Sequence, residues 1–180
     1  MKRQSLIKWL NSLRRNIGWK SRKKELLLDK NGEPITWYRG MRASDFRDDG
    51  ITAISDGKYF CDAESVASSY SSDGFVLRAH ISVANPFIID AKNEGYEYIR
   101  WACDPSSMRE FSKFKRELQK EYKGFSVDRF STDEIARFIR NNTSHDAVII
   151  RNVFEEGIFN NFAITDIVIW NNACFEAITD

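Results

Sequence analysis

Three spots in the chain carry residue types that could do chemistry together. The first is Trp37-Tyr38-Arg39-Gly40, where an arginine in a β-prone run meets a glycine. The second is a pair of tyrosines, Tyr59 and Tyr70, eleven residues apart with the small-residue stretch 63–69 between them. The third is Asp166 in "TDIVIW", read as an acid at the mouth of a late apolar strand. A guanidinium grips anions through a fixed fork of donors. Aromatic faces stack on flat rings and attract cations. A carboxylate can face positive charge that develops in a reaction. Each residue also has an ordinary role: a strand-end arginine as surface charge, a tyrosine as core or rim, a strand-start aspartate as a turn residue. Their order and spacing along the chain give them weight as a set.

The elements that must position them can be read from periodicity. "ITWYRG" is a β-rich run ending on Gly40, after the turn residues "DKNGEP". "KYF" is a short strand, and 63–69 a short helix. Residues 75–83 alternate apolar and polar, as a half-buried strand does. "NPFIID" continues extended, with Pro86 marking an edge or bend. Residues 107–122 read as a charged helix. Ser131 followed by Glu134 is a capping box opening a further helix. "DAVIIRNV" is a continuous apolar run and therefore a central strand, "VFEEG" a loop after it, and "ITDIVIW" another strand. Strands and helices mix without regular βαβ alternation, which predicts an α+β fold with a curved, mostly antiparallel sheet.

Composition limits the function. The chain has 180 residues, enough for one substantial core. Residues 1–24 hold nine Lys/Arg and no acid, leaving 18 Lys/Arg against 26 Asp/Glu, a net of −8, in the rest. The main body therefore has no general nucleic-acid footprint, and no DNA partner is expected. Residues 4–17 read as a basic amphipathic helix and 20–24 as an exposed linker. The helix either packs on the domain or touches an anionic membrane surface or a partner. The expected division is 1–26 for this segment and 27–180 for the domain. No signal-peptide core or apolar run of membrane-spanning length is present, so a cytoplasmic protein is expected. Cys61, Cys103 and Cys174 are scattered, and His80 and His145 are too few for a His-based site, so no disulfide framework or metal is expected. Neither GxGxxG after a strand nor GxxxxGK[ST] occurs, which removes both usual phosphate-cradling loops.

The set resembles the ADP-ribosyltransferase superfamily, in the branch of diphtheria toxin and the poly(ADP-ribose) polymerases. That branch has His-Gly on a strand, then Tyr-Phe, a short helix, a second tyrosine eleven residues on, and a glutamate on a late strand. Gly40 fits the glycine, Tyr59-Phe60 the Tyr-Phe, and Ala67-Ser68-Ser69-Tyr70 the small residue and second tyrosine. The chain is more similar still to ADP-ribosyltransferase domains of phage and mobile-element polyvalent proteins. It offers Asp29…Gly32-Glu33-Pro34, Tyr38-Arg39-Gly40-Met41, Tyr59-Phe60-Cys61-Asp62, Asn85-Pro86-Phe87-Ile88-Ile89-Asp90, His145 to Ile150, and Asp166 to Asn171 in order. The likeness covers about residues 27–178 and implies that superfamily's split sheet.

The resemblance also implies roles. Tyr59 and Tyr70 would sandwich the nicotinamide of NAD+, each stack contributing ~0.5–2 kcal/mol. Gly40 would pair the carboxamide through its backbone, and Ala67 would let the helix lie close. Asp166 would face the oxocarbenium-like sugar. Arg39 stands where the branch has histidine; in the arginine–serine–glutamate branch an arginine occupies the first strand, so Arg39 would grip a ribose or the pyrophosphate. Ser55 is a poor match for that branch's serine. Asp166 is one methylene, roughly 1.5 Å, shorter than glutamate. Glu155, Glu156 and Glu176 are the other acids in reach of the pattern.

The implied function is a mono-ADP-ribosyltransferase of the phage or bacterial toxin and effector type. It would use NAD+ without a metal, act on a host macromolecule, expected to be a protein, and work as a monomer. The alternatives are a degenerate NAD+- or ADP-ribose-binding module on the same fold, or a protein-interaction module. An RNA 2′-phosphotransferase ranks lower, since its basic phosphate ligands are not visible.

Overall fold

The structure is a computed structural model and describes residues 23–41, 57–71, 75–96, 102–103, 112, 116, 120, 131–156, 161–170 and 174–179. The helix expected over 4–17, Ser55 and most of 107–122 lie outside these. Of the last segment, Ser112, Arg116 and Lys120 are described, and all three are helical and exposed.

Among the described residues nine strands form one sheet: β1 (Glu25–Leu26), β2 (Trp37–Gly40), β3 (Lys58–Cys61), β4 (Val76–Val83), β5 (Pro86–Asp90), β6 (Ala102–Cys103), β7 (Ala147–Glu156), β8 (Asn161–Ile169) and β9 (Phe175–Ala177). Their order is β1-β4-β2-β3-β8-β7-β5-β6, with β9 also paired to β4. Among these strands β5 pairs with β7 in parallel and the other neighbours pair antiparallel. The fold is α+β with a mostly antiparallel sheet, as the mixed element order predicts. Two helices, α1 (Glu64–Ser69) and α2 (Thr132–Asn142), pack on one face.

Both faces are apolar. Val148 and Ile150 of the central β7 turn to the helix side, among Phe87, Ile89, Val168, Ile135 and Ile139. Ala147 and Ile149 turn to the other side, among Trp37, Phe60, Ile81, Ile167 and Ile169. Burial on both faces explains the unbroken apolar run. Each such side chain contributes about 1.5–3 kcal/mol by leaving water. α2 begins where expected: Ser131 Oγ accepts from the Glu134 amide at 3.2 Å, and Glu134 Oε2 accepts from the Ser131 amide at 3.0 Å.

Two expectations change. "VFEEG" is not a loop before the last strands: residues through Glu156 continue β7 and pair with β8 to Asn161. A bulge makes this fit. The register slips between Ile150 and Val153, Asn152 adopts φ 55°, and its side-chain amide donates to Asp90 Oδ1 at 2.9 Å. Asp166 consequently lies within β8, five residues after its start, rather than at a strand mouth.

Candidate active site at the seam between β2 and β3

The sheet is unevenly stitched. β2 pairs with β4 through four residue couples, and β3 with β8 through four. Between β2 and β3 the recorded register holds the couple Tyr38–Cys61. Continuing it would set Gly40 against Tyr59, but the ladder stops short. The Met41 amide donates to the Phe75 carbonyl at 3.0 Å, so odd-numbered residues of β2 bond toward β4. Alternation then turns the N–H and C=O of Gly40 to the β3 edge, into the seam.

Gly40 also has α1 directly above it. A Cβ at this position would meet the Ala67 carbonyl oxygen at 2.1 Å, the Ser71 nitrogen at 2.9 Å and the Tyr70 carbonyl carbon at 3.0 Å. A side chain there would lift the helix off the strand. Ala67 is buried against the core and Tyr70 caps the helix end, its amide bonded to the Ala67 carbonyl at 3.1 Å. The Tyr70 side chain is 45% exposed.

Tyr59 stands on the opposite side of the seam. Its ring packs half-buried against the helix-side core. Its hydroxyl donates to Asp133 Oδ1 of α2 at 2.5 Å. Its carbonyl accepts from Arg39 Nη1 at 3.2 Å. Alternation along β2 puts Tyr38 and Gly40 on the helix face and Trp37 and Arg39 on the other. Arg39 is thus buried on the face away from the helices, with its guanidinium reaching back to the seam.

Asp166 shares the helix face with Tyr59. It is the cross-strand partner of Cys61 on one side and Ile150 on the other, and is half-buried. Tyr59 is its diagonal neighbour across β3 and β8, a spacing of roughly 7–8 Å. Burial pushes the Cys61 thiol up to about 12; backbone hydrogen bonding at Ala63 opposes this, and the Asp166 charge adds to it. Asp62, next in the chain, accepts the Thr165 amide at 2.8 Å and fixes the residue before Asp166.

The structure therefore gathers Gly40, Ala67, Tyr59, Tyr70 and Asp166 on one face around the seam, and sets Arg39 behind it. Glu155 pairs with Phe162, four residues from Asp166, or ~13 Å along the strand. Glu176 lies on β9 opposite His80, at the far side of β4. Sequence reading missed Asp133. Its signal was faint: an acid in the first turn after a capping box, 74 residues from its tyrosine. Among the described residues no group of three or more His, Cys, Asp or Glu is placed to hold a metal ion. Among them, too, no helix is long and apolar enough to cross a membrane.

A family model described as ADP-ribosyltransferase in polyvalent proteins matches residues 29–163. The chain belongs to that family. The match takes in β2, β3, α1, α2, β7 and the start of β8, and it stops three residues before Asp166. No curated protein and no solved structure matches the chain. ADP-ribosyltransferases draw ADP-ribose from NAD+ as substrate.

Proposed function

We propose that this domain transfers a single ADP-ribose from NAD+ to a side chain of a host protein, as a phage or bacterial effector. The observation that carries the reading is Gly40, whose backbone donor and acceptor face an unzipped seam between two tyrosine-bearing elements. A primary carboxamide needs one donor and one acceptor in that arrangement. Tyr59 and Tyr70 flank the cationic ring by stacking. The C1′–nitrogen bond of the ribose breaks, and nicotinamide leaves as a neutral base with the bonding electrons. Asp166 faces the positive sugar until a nucleophile of the target adds to C1′ and gives up its proton. Arg39 acts from behind, holding the Tyr59 strand through its carbonyl.

The test is NAD+ labelled on its adenylate half, incubated with the protein and host lysate. Label should appear on protein with release of free nicotinamide. Asp166→Ala should slow this by about 100- to 1,000-fold, the loss typical of one charge-stabilising group. No label, no nicotinamide and an Asp166→Ala variant equal to wild type would defeat the proposal. A second reading, binding without turnover, draws on the position of Asp166 within β8 and its short side chain. A reach short by ~1 Å can cost on the order of a hundredfold. Calorimetric binding of NAD+ without nicotinamide release would favour it, and Asp166→Glu should then raise turnover.

A further inference from the structure

The bond between Tyr59 and Asp133 has no role in the scheme above, and it joins two parts of the chain that need not touch. Tyr59 belongs to the seam and Asp133 to the first turn of α2, a helix that packs on β7. α2 is a firm anchor. Ile135, Ala136 and Ile139 are buried in the helix-side core, its first amide, that of Thr132, is bonded to the Tyr96 carbonyl at 3.0 Å, and the capping box closes its start. Asp133 itself is exposed, so the core does not depend on it. A tyrosine ring on a strand swings about two side-chain torsions. A bond at its hydroxyl to a fixed helix removes that freedom and sets the plane of the ring.

We infer that Asp133 is a positioning residue, which acts through the Tyr59 hydroxyl to hold the ring at the stacking angle for the nicotinamide. The inference rests on the reading of the site as an NAD+ slot. It makes the Tyr59 hydroxyl, and not its ring face alone, part of the slot.

The experiment measures NAD+ affinity by calorimetry, and KM and kcat for nicotinamide release, in four variants: Asp133→Ala, Asp133→Asn, Tyr59→Phe, and Tyr59→Phe with Asp133→Ala. The six tyrosines are also labelled at ring carbon Cζ and followed by NMR in each. Asp133→Ala should shift the Tyr59 signal and weaken NAD+ binding roughly tenfold, the scale of one bond to a charged acceptor. KM should rise with kcat little changed. Tyr59→Phe should match it, and the double variant should be no worse than either single one. Asp133→Asn keeps an acceptor oxygen without the charge and should lose clearly less than the alanine, whereas a role in charge alone at the helix start would lose as much as the alanine. Undiminished loss from Asp133→Ala in the Tyr59→Phe background would overturn the inference. So would a Tyr59 signal that moves while affinity does not. If wild type neither binds NAD+ nor releases nicotinamide, the reading of the slot fails and positioning fails with it; the Cζ shift then marks a purely structural bond.

Discussion

The two edges of β2 differ. Toward β4 the strand is closed: four couples run from Trp37–Ala79 to Gly40–Val76, and the Met41 amide extends the ladder to Phe75. Toward β3 it is tied by Tyr38–Cys61, and beyond that couple a guanidinium, not a backbone amide, meets the Tyr59 carbonyl. A completed ladder satisfies backbone groups and leaves nothing for a ligand. An interrupted one keeps a donor and an acceptor available at a fixed place. One four-residue strand thus holds the fold together with one edge and presents the proposed site with the other.

The largest expected effect separates the two edges directly. Trp37, buried on the sheet face away from the helices among Phe60, Ile81 and Ile167, is held by packing; its indole nitrogen is buried with no partner among the described residues. Trp37→Ala should cost about 3–5 kcal/mol in denaturant unfolding. The protein that remains folded should still bind NAD+ with near wild-type affinity. Gly40→Ala should cost less in stability, about 1–3 kcal/mol from overpacking, because α1 can lift away. It should nevertheless abolish NAD+ binding, since the lifted helix carries Tyr70. If Trp37→Ala lost affinity in proportion to stability, or Gly40→Ala kept it, the two edges would not be separable.

A smaller effect sharpens the difference between the two walls of the seam. Tyr70→Ala should weaken NAD+ binding by roughly tenfold, the worth of one stacked cationic ring. Tyr70→Phe should be near neutral because its ring face is retained. Tyr59→Phe should not be neutral, owing to the bond to Asp133. Equal behaviour of the two phenylalanine variants would remove the distinction.

Some of this was readable from the chain and some was not, for physical reasons. The alternation of 75–83 and the apolar run of 147–150 report burial directly, so β4 and β7 were predictable. So was α2, from Ser131 and Glu134. The far half of β7 was not, because two glutamates before a glycine look like a turn, while a bulge at Asn152, in the left-handed region, keeps the hairpin paired. β1 and β6, two residues each, are too short for any period to show. The tyrosine spacing pointed to Gly40 and α1, since a helix that returns over its strand fixes that distance. The side of the sheet taken by Arg39 depends on register, which a strand-end motif does not specify. The Tyr59–Asp133 bond depends on where α2 crosses the sheet, and no local pattern encodes that.

The smallest effect concerns the one couple that ties the seam. Cys61 is paired with Tyr38 on one side and Asp166 on the other, and burial raises its thiol from an ordinary 9.0 to about 12. Folded chain holds this proton more tightly than unfolded chain does. Below pH 9 both are thiols and Cys61 makes stability insensitive to pH. Between 9 and 12 the unfolded chain ionises first, so stability falls as pH rises, with a limiting slope of about 1.4 kcal/mol per pH unit. Urea midpoints measured from pH 8 to pH 10.5 should fall for wild type and fall less for Cys61→Ala. Cys174, also raised by burial but on the opposite face, is the control. Its removal should flatten the same curve without touching the seam. Across this window folded Cys61 keeps its proton, so the thiol adds no pH dependence to NAD+ affinity, and Cys61→Ala and Cys174→Ala should follow the same affinity curve.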